Sequence, residues 1–311
     1  MGRFDAVKLS IIGAGTVGTA IAYAAAIRGT AEAIVLVDRD ADKATAEVLD
    51  LRHGLQFVPT ASVHGGDDLD LCADSDVVVI TAGAKQHPGQ SRLDLAVDNV
   101  AMAATLVPRL AELAPSAVVL VVTNPVDVVT FAAQEAAALR GIDHSRVIGS
   151  GTVLDTSRLR HLLAERLDVA IPSIHATIVG EHGDSEFALW SSATVGGAPL
   201  DLGPDERSEL LDQVRHAAYR IIEGKGATNL AIGLSTTRIL EAIGDDEHVV
   251  LPVSSRHLID GVGEVCLSLP TVVGRHGVVR TLDVPMSTDE RTALRTSAGT
   301  IRGVIDDVLG R

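Results

Sequence analysis

Cysteine is nearly missing, with only Cys72 and Cys266 among 311 residues. Two thiols cannot build a disulfide framework or a four-thiolate metal site, so both read as small buried apolar residues of a reducing compartment. Aromatic residues are almost as scarce, at 2% against 46% hydrophobic residues in all, so the core must be packed with Ala, Val, Leu and Ile. Positive charge is short as well. Lys plus Arg number 26 against 41 Asp plus Glu, a net charge of −15. Such an acidic body repels phosphate backbones, which argues against a general nucleic-acid binder. Long apolar runs are absent but for one uncharged stretch, the nineteen residues from Leu9 to Ile27 behind Lys8. It has the outline of an export signal or membrane span, yet three glycines and three hydroxyl residues interrupt it. Its first part reads better as an opening strand. With 22% charged residues and a large apolar share, the chain is globular, not disordered.

At ~150 residues per domain the length suggests two domains. The first half alternates short apolar runs with Ala-rich helical segments. Lys8–Ile12 reads as a buried strand, with Gly13–Gly18 and a helix to about Arg28 after it, closed by Gly29. Ile34–Val37 is the second strand and ends on Asp38; a helix follows from about Asp40 to His53. Val77–Ile80, Ala117–Val122 and Arg146–Ile148 read as the third, fourth and fifth strands. Val/Ile-rich strands without polar alternation are buried on both faces, as in a parallel sheet covered by helices. The second half is mixed: a helix near Thr152–Leu167, strands near Ser173–Gly180 and Glu264–Val273, two central helices and a last helix after Met286. The expected boundary falls near Gly149-Ser150-Gly151, giving a first domain of residues 1–149 and a second of 150–311.

Ligands of open parallel sheets sit beyond the carboxyl ends of the strands, and here those ends are chemically loaded. Gly13-Ala14-Gly15-Thr16-Val17-Gly18 fits G-x-G-x-x-G between a strand and a helix. Gly13 permits the tight turn, Gly15 allows a pyrophosphate close to the backbone, and Gly18 allows close helix packing. The free N–H groups of the helix start face the phosphates. Asp38 stands twenty residues after Gly18, where a carboxylate can accept from ribose hydroxyls and repel a 2′-phosphate. That favours NAD over NADP, with Arg39 next door as the contrary sign.

The second half carries Val179-Gly180-Glu181-His182-Gly183-Asp184-Ser185. One histidine among eleven means little, but its company has meaning. Asn124 closes a strand, Arg92 follows a Pro/Gly-bearing loop, and Asp155 and Arg158 sit three apart on a helix. That spacing sets a carboxylate and a guanidinium about 60° apart on one face.

On these segments the sequence closely resembles the L-lactate/L-malate dehydrogenase family. The matching stretches are Gly13–Gly18, Asp50–Gly54, Thr81-Ala82-Gly83, Pro88-Gly89 through Asp94, Val122–Asp127, Gly151–Arg158, Gly180–Asp184 and Lys225–Thr228, in the family's order over nearly the whole chain. The resemblance implies a Rossmann doubly wound parallel sheet followed by an α+β substrate domain, and a hydride exchanged with NAD. It implies His182 as general acid/base, Asp155 as its orienting partner, Arg158 as the clamp on the substrate carboxylate and Arg92 as the group polarising the carbonyl. Arg92 follows Gln86-His87-Pro88-Gly89, which implies a loop that closes and expels water. Asn124 is implied to contact the substrate or nicotinamide region, and Thr228 to line the pocket. Gly13, Gly15, Thr16, Val17, Gly18, Asp38, Thr81, Ala82, Gly83, Thr123 and Asn124 are the implied cofactor contacts. No protein metal is needed, because the nicotinamide carries the redox chemistry.

The second carboxylate of malate requires a counter-charge in a dry site, and the position where a malate enzyme of the family resembles one with Arg holds Gln86. The resemblance therefore implies pyruvate and L-lactate; malate or a bulkier L-2-hydroxy acid is the alternative, with His87 in place of the usual Lys. A non-catalytic NAD-binding sensor is the reading from another class, and it has no need of His182, Asp155, Arg158 and Arg92 together. Arg160 lies about 200° around the helix from Arg158, and His175, seven residues before His182 on the expected strand, alternates to the opposite face. In bacterial members an Arg and a His so placed bind fructose 1,6-bisphosphate across a subunit two-fold, which implies an allosteric homotetramer of fermentative glycolysis in the cytoplasm.

Overall fold

The structure is a computed structural model and describes residues 7–84 and 92–310. Its first half runs β1 (Lys8–Ile12), α1 (Thr16–Arg28), β2 (Ala33–Val37), α2 (Ala41–His53), β3 (Ser62–Gly66), β4 (Val77–Ile80), α3 (Arg92–Leu113), β5 (Val118–Val121), α4 (Val126–Ala138) and β6 (Val147–Gly149). The second half continues with α5 (Val153–Leu167), β7 (Ile174–His175), β8 (Ile178–Val179), β9 (Phe187–Ala188), β10 (Thr194–Val195), β11 (Ala198–Pro199), α6 (Pro204–Lys225) and α7 (Leu230–Gly244). It ends with β12 (Val249–Leu251), β13 (Ser254–Ile259), β14 (Gly263–Ser268), β15 (Thr271–Gly274), β16 (Gly277–Thr281) and α8 (Thr288–Leu309).

Six parallel strands stand in the order β3-β2-β1-β4-β5-β6. This is the doubly wound Rossmann order, whose connections reverse direction between β1 and β4. The strands are short and apolar, and the helices over them are rich in alanine, so helix backbones approach the sheet closely without aromatic bulk. Leu9 and Ile11 of β1 pack on one face with Ala22 and Ala25 of α1 and Ile239 and Ile243 of α7. Val78 and Ile80 of β4 pack on the other face with Val107 and Leu110 of α3 and Val129 and Ala133 of α4. The core is thus the aliphatic one that the composition requires, and Cys72 and Cys266 are both buried in it.

Several elements differ from the sequence reading. Ser62–Gly66 is an edge strand that no apolar run announced, so Val77–Ile80 is fourth in chain order. The expected strand Ser173–Gly180 is broken: β7 pairs with β10, and β8 with β9 in another sheet. The expected strand Glu264–Val273 divides at Pro270, which has no N–H to continue a ladder, into β14 and β15. β13, also unannounced, pairs antiparallel with β6 through Ser254 and Gly149 and carries β14 beside it, so the large sheet has eight strands. Part of the second half has its own core, with Leu159 and Leu163 of α5 against Ile174, Ile178, Leu210 and Val214, while α7, β14 and α8 pack onto the first half.

Candidate active site

β1 turns at Gly13, whose φ of +111° suits only glycine, and a Cβ there would meet the Ala82 amide nitrogen at 2.7 Å. Gly13 thereby lets the first turn lie against the end of β4, at the reversal of strand order. A side chain on Gly18 would overlap the Gly13 carbonyl oxygen. This glycine makes room for the turn itself, which is more local than the helix-to-sheet packing expected of it. Gly15 opens onto free space and is the N-cap of α1 without any side-chain cap, and no acidic residue occupies the first turn. The N–H groups that begin α1 therefore have neither a side-chain cap nor an acidic residue in their own turn to compete for them. That arrangement fits a dinucleotide pyrophosphate.

Asp38, at the end of β2, accepts from the Ala14 amide at 2.7 Å through Oδ2 and from the Asp40 amide at 3.1 Å through Oδ1. Each oxygen keeps a second lone pair for a ribose hydroxyl. Beyond β4, the Thr81 hydroxyl donates toward the Ile12 and Gly13 carbonyls, and the Thr123 hydroxyl donates to the Ala82 carbonyl at 2.6 Å. Asn99 of α3 completes this brace. Its side-chain oxygen accepts from the Ala84 amide and its nitrogen donates to the Asn124 carbonyl, both at 2.7 Å. Asn99 was not among the residues singled out in the sequence, since an Asn inside an amphipathic helix carries no local signal.

The second cluster lies on the other half. The loop bearing His182 is tied to β14 by paired backbone hydrogen bonds between Gly180 and Ser268, each 2.9 Å. The His182 amide donates to Asp127 Oδ2 at 2.7 Å, and its ring Nδ1 lies 2.6 Å from Asp155 Oδ2. Asp127 Oδ1 accepts from the Ser254 hydroxyl at 2.6 Å. Asp155 Oδ1 also meets Arg158 Nη1 at 2.7 Å, so one carboxylate serves both the imidazole and the guanidinium. Asp155 is 2% exposed while the His182 side chain retains 26%. With Nδ1 committed, Nε2 is the ring nitrogen left to face a ligand.

The charges follow from this packing. Burial disfavours the His182 imidazolium, but the charge and hydrogen bond of Asp155, joined by Asp127 and, where it is ionised, by Glu186, outweigh it and push the group up to about 9. Burial also works against ionised Asp155, yet His182 and Arg158 hold its carboxyl below the ordinary range. Burial pushes Asp127 up to about 6 despite hydrogen bonds from Ser254 and the His182 amide. Glu186 is driven up to about 9 by burial first and by the neighbouring Asp155 charge second. Asp127 and Glu186 had no assigned role in the sequence. Asp127 stands in the matched Val122–Asp127 stretch without a role, and Glu186 lies just past the quoted Val179–Ser185 run and was not marked.

The structure brings His182, Asp155 and Arg158 together. Thr228, ahead of α7, lines a cavity of about 430 Å³ with Arg220, Lys225 and Leu230, and His182, Asp155 and Arg158 do not border it. Arg160 donates its Nε to the Ala176 carbonyl at 2.9 Å, one residue along the chain from exposed His175. The strand alternation expected between His175 and His182 does not exist, because the strand is broken. His175 lies in β7, which pairs with β10, whereas His182 lies on the loop between β8 and β9. Gln86 and His87 lie outside the described residues, as does the side chain of Arg92, the first residue of α3.

Residues 7–149 match the family model for the lactate/malate dehydrogenase NAD-binding domain, and residues 152–310 match that for the lactate/malate dehydrogenase alpha/beta C-terminal domain. The chain is 49% identical to an L-lactate dehydrogenase of Synechococcus sp., over 97% of this chain and 99% of the relative. It is 47% identical to an L-lactate dehydrogenase of Bifidobacterium animalis subsp. lactis, over 95% of each. The crystal structure of minor L-lactate dehydrogenase from Enterococcus mundtii in a ligands-bound form superposes with a TM-score of 0.92 at 38% identity, covering 97% of this chain and 98% of that one. The glycine turn and uncapped helix start fit the dinucleotide, the His182–Asp155–Arg158 cluster fits an acid/base site, and the chain belongs to the lactate/malate dehydrogenase family as an NAD-dependent enzyme.

Proposed function

We propose that the chain is an L-lactate dehydrogenase that interconverts pyruvate and L-lactate, with residues 1–149 holding the cofactor and 150–311 most of the substrate site. Bound NADH supplies the hydride that reduces the keto carbon. Arg158 grips the substrate carboxylate with the donors that Asp155 leaves free, which fixes the reacting carbon. His182, protonated on both nitrogens, donates its Nε2 proton to the keto oxygen as the hydride arrives; in reverse, neutral His182 takes the hydroxyl proton. Asp155 holds the ring by Nδ1 and favours the imidazolium that donates. Arg92 polarises the carbonyl as negative charge grows on its oxygen. Asn124 touches the substrate or nicotinamide from its strand end, and the family resemblance alone assigns Thr228 to the pocket, since the cavity it lines is not bordered by His182, Asp155 or Arg158.

The observation that carries this reading is the double hold on His182, by Asp127 at the backbone and Asp155 at the ring, with Arg158 on the same Asp155. Two relatives that are L-lactate dehydrogenases support pyruvate over oxaloacetate, as does the neutral Gln86. Arg160, hydrogen-bonded to the carbonyl of Ala176, and exposed His175 one residue earlier would together support a fructose 1,6-bisphosphate site in a homotetramer, since cations of two subunits repel until a bisphosphate bridges them. The alternative, malate or another L-2-hydroxy acid as substrate, and the effector are tested together by steady-state rates on a panel of 2-oxo acids with and without the bisphosphate. Preference for pyruvate and activation lost in Arg160→Gln support the reading; preference for oxaloacetate, or a parent insensitive to the bisphosphate, removes the corresponding part. Gln86→Arg should shift preference toward oxaloacetate. No helix among the described residues is long and apolar enough to cross a membrane, which agrees with a cytoplasmic enzyme.

A further inference from the structure

Glu186 is the buried acid for which neither the cofactor crevice nor the proton transfer has a use. It is 2% exposed, and its Oε1 has no hydrogen-bond partner. One oxygen of Glu186, one of Asp155 and a ring nitrogen of His182 lie mutually within 4.8 Å. The charged groups facing it are Asp155 and Arg158 from α5, His182 from its own loop and Arg215 from α6. Arg215, however, gives its hydrogen bond to the Glu186 backbone carbonyl, not to the carboxyl. His182 is faced in addition by Asp127 from α4.

A buried carboxylate oxygen without a donor is costly, whereas a carboxylic acid in the same place loses much less. Asp155 next to it is already committed as an anion to His182 and Arg158, and two carboxylates this close do not both ionise readily. The three donors could suggest a metal site, but the Arg158 guanidinium 2.7 Å from Asp155 puts a fixed cation against the donor set. The cluster is therefore built for protons.

We propose that Glu186 is a positioning residue acting on His182: a neutral carboxylic acid in the working enzyme, whose ionisation in alkali adds a second negative charge to the Asp155–His182 pair and prolongs the donating imidazolium. The inference rests on the acid/base role of His182. Burial and the Asp155 charge both keep the proton on Glu186 up to about 9, the same region in which His182 releases its own. The two groups titrate as one system, and the alkaline limit of pyruvate reduction belongs to both.

The test is the pH profile of kcat/KM for pyruvate at saturating NADH, parent against Glu186→Gln, together with NMR titration of His182. In the variant the second charge never appears, so the alkaline limb and the His182 titration move down by about one pH unit. The ratio of the rate at pH 9 to that at pH 7 then falls about fivefold below the parent's. Glu186→Asp, which keeps an acid, should restore part of the limb. Coincident limbs and titrations in parent and Glu186→Gln overturn the proposal. Should the Gln variant not fold, isotope-edited infrared spectra of the parent decide. A protonated Glu carboxyl band at pH 7 that disappears by pH 10 supports the proposal, and its absence at pH 7 overturns it. An active His182→Asn enzyme would instead remove the acid/base reading; an inactive one with unmoved Glu186→Gln limbs removes this inference alone.

Discussion

The two functional regions are made in different ways. The cofactor crevice is mostly backbone: the turn at Gly13, the uncapped start of α1, and strand ends braced by short-range hydrogen bonds from Thr81, Thr123 and Asn99. It comes from consecutive strand ends and fails when a Cβ fills space. The acid/base cluster is mostly side chain. It draws Asp127 from α4, Asp155 and Arg158 from α5, His182 from a loop and Ser254 from β13, joined by bonds spanning up to 127 residues of sequence. It fails when a charge is removed at constant shape. Steric fit governs one region and electrostatic compensation the other.

The sharpest way to break this contrast is Asp155→Asn, which keeps the volume and deletes the charge. Pyruvate reduction should fall about 10²- to 10⁴-fold, while the Kd for NADH, measured by fluorescence, stays within about threefold. Gly13→Ala should do the opposite. The added methyl meets the Ala82 nitrogen in a backbone region closed to L side chains, which costs about 2–3 kcal/mol in urea unfolding and weakens NADH binding. Asp127→Ala leaves the His182 amide and the Ser254 hydroxyl without their acceptor, at a cost of about 1–3 kcal/mol, with a larger loss in kcat than in NADH affinity.

The pH dependence of stability separates the regions further. His182 has its folded value raised from 6.5 to about 9, so its contribution is complete below 6.5 and is lost as pH rises through 9. Glu186, raised from 4.5 to about 9, makes the folded state hold a proton that the unfolded chain releases, so stability falls with pH from about 4.5 to 9, an interval that contains that of His182. Urea midpoints of the parent should therefore decline from pH 6.5 to 9, and His182→Asn should flatten part of that slope. The smallest effect should come from neither region. Arg109→Ala, which removes exposed ion pairs with Asp70 and Glu112, should leave both the urea midpoint and the kinetics within error of the parent's.

How much of this is visible before coordinates follows the same division. The turn at Gly13–Gly18, Asp38 at a strand end and the apolar strands β1, β2, β4 and β5 are local patterns, and each was legible. The edge strand Ser62–Gly66 was not. Its sequence Ser-Val-His-Gly-Gly has no apolar run, because a Cβ on Gly65 would collide with Val48 and with the Leu36 carbonyl. β13 begins Ser-Ser-Arg-His and was missed for a similar reason: Ser254 and Ser255 are buried by polar partners, not by apolar patterning. At the catalytic cluster, His182, Asp155 and Arg158 were legible through family resemblance, whereas spacing alone gave only the last two as a pair. Asp127, Ser254 and Glu186 were invisible as functional residues, since a buried polar group takes its meaning from a tertiary partner that the sequence does not print.

Everything in the catalytic account passes through one imidazole, so the most direct measurement is single-turnover reduction of pyruvate by the NADH complex of His182→Asn. With NADH affinity within about threefold of the parent, the rate should drop by at least about 10³-fold and lose its alkaline limb. A variant that binds NADH normally and reduces pyruvate within tenfold of the parent would contradict the account.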